Sequence, residues 1–430
     1  MPTQPLNRTL APLIKDAVEF DLKLQPIQRF TLDNGVEVFA IDAGTEEVLQ
    51  LEWIFSAGNW HEKKNLVAAV TNHLLKNGTV KRTAYTLNEH FEYFGSYLNR
   101  ACYSEHATIT LHCLNKHLNE LLPVVREIMT ESIFPEDELQ LFKTISKQKL
   151  EVNLKKCEFI ANRLIDSYVY GPEHPYGKYS SFEAYDALQR EELLEYYQQQ
   201  YVNGHCRIFV AGKLPADIMS LLNMTFGSMP LRKNVENVNQ YTIAAADQKK
   251  YRVANDPDGV QGAIRLAAHA PGRSDPDYPK LQVLNNIYGG YFGSRLMSNI
   301  REDKGYTYGI HSFLENHMHQ SAWVVSTEAG RDVAEAAVTE IYNEMEDLRE
   351  ELVEDDELML VKNHMMGTLL SELDGPFHIM SKWKNLILNN LDESYFYKTI
   401  ETIKTITAEE LQALSVKYLD PKKFYELIVV

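Results

Sequence analysis

Alternating apolar positions predict strands, and apolar positions three or four apart predict helices, in an irregular order along the first half of the chain. The turn Asp33-Asn34-Gly35 separates two alternating runs within residues 29–41, which is typical of a β-hairpin. Leucine or valine at positions 66, 67, 70 and 74 has helical spacing and predicts a helix over residues 62–76. The other elements predicted in this half are strands over residues 49–56 and 107–114 and helices over residues 86–94, 117–132 and 135–154.

The second half of the chain repeats this order of elements. Its predicted strands cover residues 261–269, 306–314 and 321–328, and its predicted helices cover residues 278–287, 296–302, 332–352 and 357–373. A repeat of about 200 residues has the size of a duplicated domain, and the mixture of hairpins and helices favours an α+β fold. The predicted division is an N-terminal arm over residues 1–27, a first domain over 28–228, a linker over 229–250 and a second domain over 251–430.

Composition narrows the class of protein. The 430 residues include 43 basic and 60 acidic ones, and the formal charge of −17 disfavours nucleic acid and anionic membrane surfaces as partners. The four cysteines form no CxxC pair, which argues against a disulfide framework or a zinc knuckle. The N-terminal residues lack the pattern of a signal peptide, and no run of about 18 apolar residues occurs. We therefore expect a cytoplasmic protein without a membrane segment.

Three segments carry candidate chemistry. The first is AAVTNHLLKNGT over residues 68–79, followed by Arg82, and the second is His174-Pro175-Tyr176-Gly177. The third is NIYGGYFGSRLMSNIREDKGYTY over residues 286–308. In this order and with these separations they resemble the pitrilysin/insulinase family of inverted zinc peptidases. That family carries HxxEH on a helix, then GTxxRT, HPYG and a GGGxxSRLxxxIRxxxGxxY segment.

The resemblance covers residues 28–425 and implies a fold and an assembly. It implies two homologous domains of the mitochondrial-processing-peptidase-like fold, in which an antiparallel sheet is packed by helices and the domains enclose a cavity. A full peptidase of this family contains four such domains. Some members hold them in one long chain, and others use two chains of this length, one with HxxEH and one with only an Arg/Tyr pair in its second domain.

The zinc motif is degenerate in this sequence. Two histidines four apart on a helix can share a zinc ion, and the glutamate between them serves as general base. Alignment on Gly78-Thr79 places Ala69-Val70-Thr71-Asn72-His73 at the motif. Ala69 has no lone pair for a metal, and the amide of Asn72 cannot take a proton from water. His73 is retained, and Glu151 lies close to the family's third ligand, although both are equally compatible with ordinary helix residues.

The second-domain segment is retained. Arg301 and Tyr308 have the spacing of the family's Arg/Tyr pair, which binds the peptide and polarises the scissile carbonyl opposite the zinc. An ion pair of the arginine and simple strand packing of the tyrosine are the structural alternative. Asn99 lies in GSYLNRAC, which resembles the family's substrate-binding edge strand, but Arg100 and Cys102 depart from its pattern.

These observations predict a non-catalytic, peptide-binding subunit of a heterodimeric zinc peptidase. Its predicted partner is a chain of similar length with an intact HxxEH motif, which would hold the zinc, while this chain is expected to bind no cofactor. An assembly scaffold without proteolysis, which could form a homodimer when alone, is the second hypothesis. An active zinc peptidase with atypical ligands is the third. His317-Met318-His319 is the one other pair of closely spaced histidines considered as ligands, and a surface loop is the alternative there.

Overall fold

A computed structural model describes residues 15–232, 239–256 and 258–430. The strands are β1 (Gln28–Thr31), β2 (Glu37–Asp42), β3 (Val48–Phe55), β4 (Tyr97–Cys102), β5 (Ala107–Leu114), β6 (Cys206–Gly212), β7 (Lys250–Val253), β8 (Gln261–Ala270), β9 (Thr307–Asn316), β10 (Ser321–Gly330) and β11 (Tyr425–Val429). The helices are α1 (Val67–Leu74), α2 (Ala84–Tyr93), α3 (Leu118–Glu131), α4 (Glu136–Asn153), α5 (Cys157–Tyr170), α6 (Phe182–Ala187), α7 (Arg190–Tyr197), α8 (Ile218–Phe226), α9 (Tyr278–Asn285), α10 (Ala334–Glu350), α11 (Asp355–Ser371), α12 (Gly375–Leu388), α13 (Glu393–Thr405) and α14 (Ala408–Tyr418).

The strands form two sheets with the same topology. The first has the order β1-β2-β6-β3-β5-β4, and the second has the order β7-β11-β8-β10-β9. In the first sheet β6 lies between β2 and β3 and runs parallel to β2, and in the second sheet β11 lies between β7 and β8 and runs parallel to β7. The other pairs are antiparallel, and β1 is an additional edge strand of the first sheet. This shared order confirms the α+β fold of two homologous domains that the sequence predicts.

Most predicted elements lie where the hydrophobic pattern places them, but the first helix is shorter. It begins at Val67 rather than at residue 62, because Leu66 has a left-handed backbone with φ 75° and no helix passes through it. The segment before it contains a short 3-10 turn, Asn59–His61. The glycine-rich region of the second half also differs, since Asn286–Gly290 and Met297–Asp303 form π-helical turns.

The two halves exchange helices. The α5 helix of the first half packs on β8 and β11 of the second sheet, with Ala161, Ile165 and Val169 in the shared core. The α12 helix of the second half packs on β2 and β6 of the first sheet. Each sheet is therefore covered on one face by a helix of the other half. Because of this cover, strands β2, β3 and β6 are buried on both faces.

The described part of the predicted N-terminal arm also joins the halves. Leu22 and Leu24 are buried in a core composed mostly of second-half residues. The indole of Trp383 donates to the carbonyl oxygen of Gln25 at 2.7 Å. Of the predicted linker, residues 233–238 lie outside the described residues. Further along it, the backbone N–H groups of Ala244 and Ala246 donate to carbonyl oxygens of α5. Among the described residues, no helix is both long and apolar enough to cross a membrane.

Candidate functional site

The degenerate zinc motif lies on α1, where its two faces have different surroundings. Ala69 and His73 are one turn apart and reach the surface, but the ring of Phe142 packs against the His73 ring and partly shields it from water. Asn72 is buried, and its amide donates to the carbonyl oxygen of Thr108 at 3.3 Å and to the hydroxyl of Tyr201 at 3.1 Å. Asn72 therefore acts as a structural donor that ties α1 to the first sheet, and it has no proton-accepting role.

The surroundings of His73 are cationic and aromatic. Its ring lies 4.7 Å from the ring of Phe142, centroid to centroid. Burial, and then the charges of Arg100 and Lys149, lower the pKa of His73 to about 4. Glu151 is exposed on α4, and no hydrogen bond or ion pair within the described ranges joins it to His73.

Zinc does not fit these residues. Ala69 offers no donor atom, the amide of Asn72 is engaged with Tyr201, and two cations face the remaining imidazole. In the part of the chain that the structure describes, no group of three or more His, Cys, Asp or Glu residues is placed to hold a metal ion. The pair His317 and His319 belongs to no such group, so the atypical-ligand hypothesis gains no support from geometry.

Half-buried Arg301 forms a group with exposed Tyr308 and with one aromatic residue that the motif did not include, Phe292. The guanidinium of Arg301 lies 4.7 Å from the ring centroid of Phe292 and 5.4 Å from that of Tyr308. Tyr308 is 89% exposed and Phe292 is 62% exposed. Arg295, in contrast, is held by Glu357 through two bonds of 2.8 and 2.7 Å, so the ion pair considered for this segment belongs to Arg295.

Both candidate peptide-binding segments lie on sheet edges. Asn99 is exposed on β4, the last strand of the first sheet, where it pairs with Thr110. Tyr308 is near the start of β9, the last strand of the second sheet. One side of each of these strands has no neighbouring strand among the described residues, which is the geometry that accepts an added peptide strand.

The HPYG segment holds the two halves together. The Tyr176 hydroxyl donates to the carboxylate of Glu105, which also accepts from the backbone N–H of Met318 at 3.1 Å. The Tyr176 ring stacks on His317 at 3.9 Å. This placement agrees with an architectural role for the segment, and the His317-Met318-His319 loop is the second-half surface that it contacts.

A cavity of about 370 Å³ lies between the halves, and His106 is one of its lining residues. It is lined in part by Glu52, Glu105, His106, Arg273 and Lys384. Both ring nitrogens of His106 are buried and have no hydrogen-bond partner among the described residues. Burial is the main cause that lowers the pKa of His106 to about 4, with Glu105 opposing it and His61, Arg207 and His205 adding to it.

Acid should therefore destabilise the protein through His106. Between about pH 6.5 and pH 4 the unfolded chain binds a proton that the folded ring does not, so stability falls as the pH falls. When the pH falls from 7 to 5, the free energy of unfolding of His106→Phe should decrease by about 1–2 kcal/mol less than that of the parent protein. Urea unfolding at the two pH values measures this difference. The exposed His378→Phe is the control and should leave this pH dependence unchanged; equal pH dependence in both variants would contradict the assignment.

Comparison with known proteins identifies the class. The family described as "Insulinase (Peptidase family M16)" matches residues 38–171, and "Peptidase M16 inactive domain" matches residues 187–365. An uncharacterized zinc protease of Bacillus subtilis (strain 168) is 23% identical over 90% of this chain and 95% of its own length. Cytochrome b-c1 complex subunit 1, mitochondrial, of Bos taurus is 23% identical over 60% of this chain and 55% of its own length.

Two solved structures share the fold. The peptidase M16 inactive domain from Pseudomonas fluorescens has a TM-score of 0.84 at 21% identity and covers 94% of this chain and 98% of its own. The periplasmic protease PqqL from Escherichia coli has a TM-score of 0.77 at 14% identity and covers 99% of this chain but 49% of its own. The chain belongs to the M16 (pitrilysin/insulinase) peptidase family. Its similarity to an M16 inactive domain and to a cytochrome b-c1 subunit fits a non-catalytic type of member.

Proposed function

We propose that this chain is the non-catalytic, peptide-binding subunit of a two-chain zinc peptidase. A second chain of similar length with an intact HxxEH motif would hold the zinc, and this chain would contribute Arg301 and Tyr308 to its active site. The observation that carries the proposal is the contrast between the halves. The described residues of the first half do not fit a metal, whereas the second half keeps Arg301 together with the exposed ring of Tyr308.

The chemistry of the Arg301 group suits a peptide substrate. Its guanidinium makes no ion pair with any described residue, so its donors are available to peptide carbonyl or carboxylate oxygens. The rings of Phe292 and Tyr308 restrict its orientation through cation–π contacts. The exposed phenol of Tyr308 can donate to an oxyanion that develops at a carbonyl opposite a partner's metal.

The length of the Escherichia coli protease supports a second chain. The Escherichia coli protease has about twice the length that this chain matches, since only 49% of it is covered. Two chains of this size together would have about the length of that protease. In such a pair the zinc and the general base would come from the partner.

Replacing Arg301 by Ala tests this function. We expect the complex of this chain with its HxxEH partner to lose at least tenfold in kcat/KM on a fluorogenic peptide, because the substrate carbonyl loses its donor. The assay uses the complex co-purified on the tagged full chain, with the partner sequence and the zinc content of the complex determined. Arg126→Ala is the control, since among the described residues that guanidinium donates only to the Ser228 hydroxyl at 3.2 Å. Full activity of the Arg301→Ala complex would contradict the proposed role.

An assembly scaffold is the second candidate. It is favoured by the likeness to cytochrome b-c1 complex subunit 1, whose name places it in a larger complex. In that case the purified complexes would contain no chain with HxxEH, and Arg301→Ala would leave assembly and activity unchanged.

A further inference from the structure

We propose that a cavity between helices of the second half binds a small molecule that carries one carboxylate and an apolar group. The cavity has a volume of about 320 Å³ and is lined by residues of α9, α11, α12 and α13. That volume lies at the lower end of the range found for small-molecule sites. Its apolar wall includes Leu386, Phe396 and Ile403, which are buried members of the main hydrophobic core.

Arg273 supplies the charge that a carboxylate requires. It precedes α9 and lines the cavity, and within residues 15–232, 239–256 and 258–430 its guanidinium makes no hydrogen bond or ion pair. The guanidinium carbon lies 5.7 Å from the ring centroid of Tyr278, and this cation–π contact restricts its orientation. The donor fork of the guanidinium is therefore held in place and available to a ligand.

The acidic side chains close to Arg273 are engaged elsewhere. Glu372 lines the same cavity and pairs with Lys382, which also lines it. In the turn that follows Arg273, the carboxylate of Asp277 accepts from the ammonium of Lys417 at 2.7 Å. Of the Arg, Lys and Glu side chains in the described lining, Arg273 is thus the one without a counter-charge, and the cavity favours an anion.

Amide side chains and an opening to the surface complete the site. Gln282 lines the cavity from α9, and its side chain has no hydrogen bond to any other described residue. Asn385 lines the cavity from α12 and also lines a neighbouring one of about 330 Å³. The exposed residues Ser371, His378 and Ser381 line that second cavity, which gives a ligand a route from the surface.

The charge and the apolar wall together define the class of ligand. A carboxylate can accept two parallel N–H bonds from the Arg273 guanidinium, and the wall of Leu386, Phe396 and Ile403 can remove an apolar group from water. A small anion gains nothing from that wall, and a neutral molecule leaves the guanidinium without a counter-charge. Arg301 is not among the lining residues, so the site is separate from the one proposed above for peptides.

The test is isothermal titration of the full chain alone with 3-phenylpropionate, 3-phenylpropionamide and acetate. We expect 3-phenylpropionate to bind at least tenfold more tightly than its amide or acetate, because it has both the charge and the apolar group. Arg273→Met should weaken this binding at least fivefold. The exposed Thr368→Trp, whose indole should occupy the cavity, should weaken it at least tenfold. Arg126→Ala is the control, since Arg126 lines a cavity of the first half, and it should leave the binding unchanged.

A direct measurement on the unmodified protein covers the case in which a variant folds poorly. Met365 lines the cavity, whereas Met224 lines the cavity of the first half. With 13C-methyl methionine, the Met365 resonance, assigned by its absence in Met365→Leu, should shift on addition of 3-phenylpropionate, and that of Met224 should not.

Three results would overturn the proposal. They are equal binding of the acid and its amide, binding of acetate as tight as that of 3-phenylpropionate, and an unmoved Met365 resonance. Binding of 3-phenylpropionate to Arg273→Met at the parent affinity would overturn it as well. The site requires neither the partner chain nor Arg301, so its failure would leave the proposed subunit role intact.

Discussion

Replacing Lys178 by Met is expected to lower the free energy of unfolding by about 3–5 kcal/mol, because it leaves a buried carboxylate without its counter-charge. The Lys178 ammonium lies 2.7 Å from Glu62, whose side chain is 1% exposed. The other oxygen of Glu62 accepts from the backbone N–H of Ala68 at 2.9 Å. Lys178 follows the HPYG segment, so the ion pair connects that segment to the start of the helix that carries the degenerate motif.

The pH dependence of this variant follows from Glu62. Burial raises the pKa of Glu62 above its usual value even with Lys178 present. An acid whose folded pKa is raised favours the folded state at low pH, and this contribution is lost as the pH rises through the folded pKa. The stability deficit of Lys178→Met should therefore be larger at pH 8 than at pH 5.

Urea unfolding followed by circular dichroism at the two pH values measures the effect. Lys63→Met is the matched control, because Lys63 pairs with Glu195 on the surface and its removal should cost less than about 1 kcal/mol. Glu62→Gln combined with Lys178→Met should recover part of the loss, since the amide carries no charge. A Lys178→Met protein as stable as the Lys63→Met control would show that the pair contributes no net stability.

Replacing Trp60 by Ala is expected to destabilise the protein by about 3–5 kcal/mol and to loosen the contact between its halves. Trp60 is 3% exposed and stacks on His319 at 4.0 Å between ring centroids. It also contacts Tyr176 at 5.1 Å and Tyr241 at 4.9 Å. A single indole thus joins the first half, the HPYG segment, the stretch between the halves and the β9–β10 loop.

Hydrogen exchange separates loss of this contact from general loss of stability. In Trp60→Ala, exchange should become faster in residues 317–320 and 239–246 under native conditions. Trp53→Ala is the control, since Trp53 is fully buried in β3 and packs on Phe226 within the first half. Its loss of stability should be similar, with faster exchange confined to the first sheet. If the β9–β10 loop exchanged at the parent rate in Trp60→Ala, the indole would not hold the halves together.

Local sequence patterns predicted the elements whose causes are local. The hairpin at Asp33-Asn34-Gly35 has Gly35 at φ 85°, a conformation that glycine adopts without strain. The long helices α3 and α4 lie within two residues of their predicted bounds, because each has a sustained apolar period, and Pro135 marks the start of α4. The start of α1 was missed because the left-handed Leu66 has no signature in residue type.

Some residues of the candidate site could likewise be predicted from the sequence, and others could not. The identities of Ala69 and Asn72 predict that the zinc chemistry is missing, since a methyl group and an amide cannot replace an imidazole and a carboxylate. The group of Arg301 and Tyr308 was found through its spacing. Phe292 and the cations around His73 were not, because they come from separate elements that only the folded chain brings together.

The sequence by itself determined the repeat, the α+β class, the family and the loss of the metal-binding residues. These features follow from residue identities and from the spacing of apolar residues within short segments of the chain. Only the tertiary structure decided that α5 and α12 pack on the sheets of the opposite halves, that Trp60 and Glu105 join the halves, and that Arg100 donates to the His73 carbonyl oxygen. An apolar face shows that a helix is buried, but not which sheet buries it. That choice depends on the packing of residues more than a hundred positions apart.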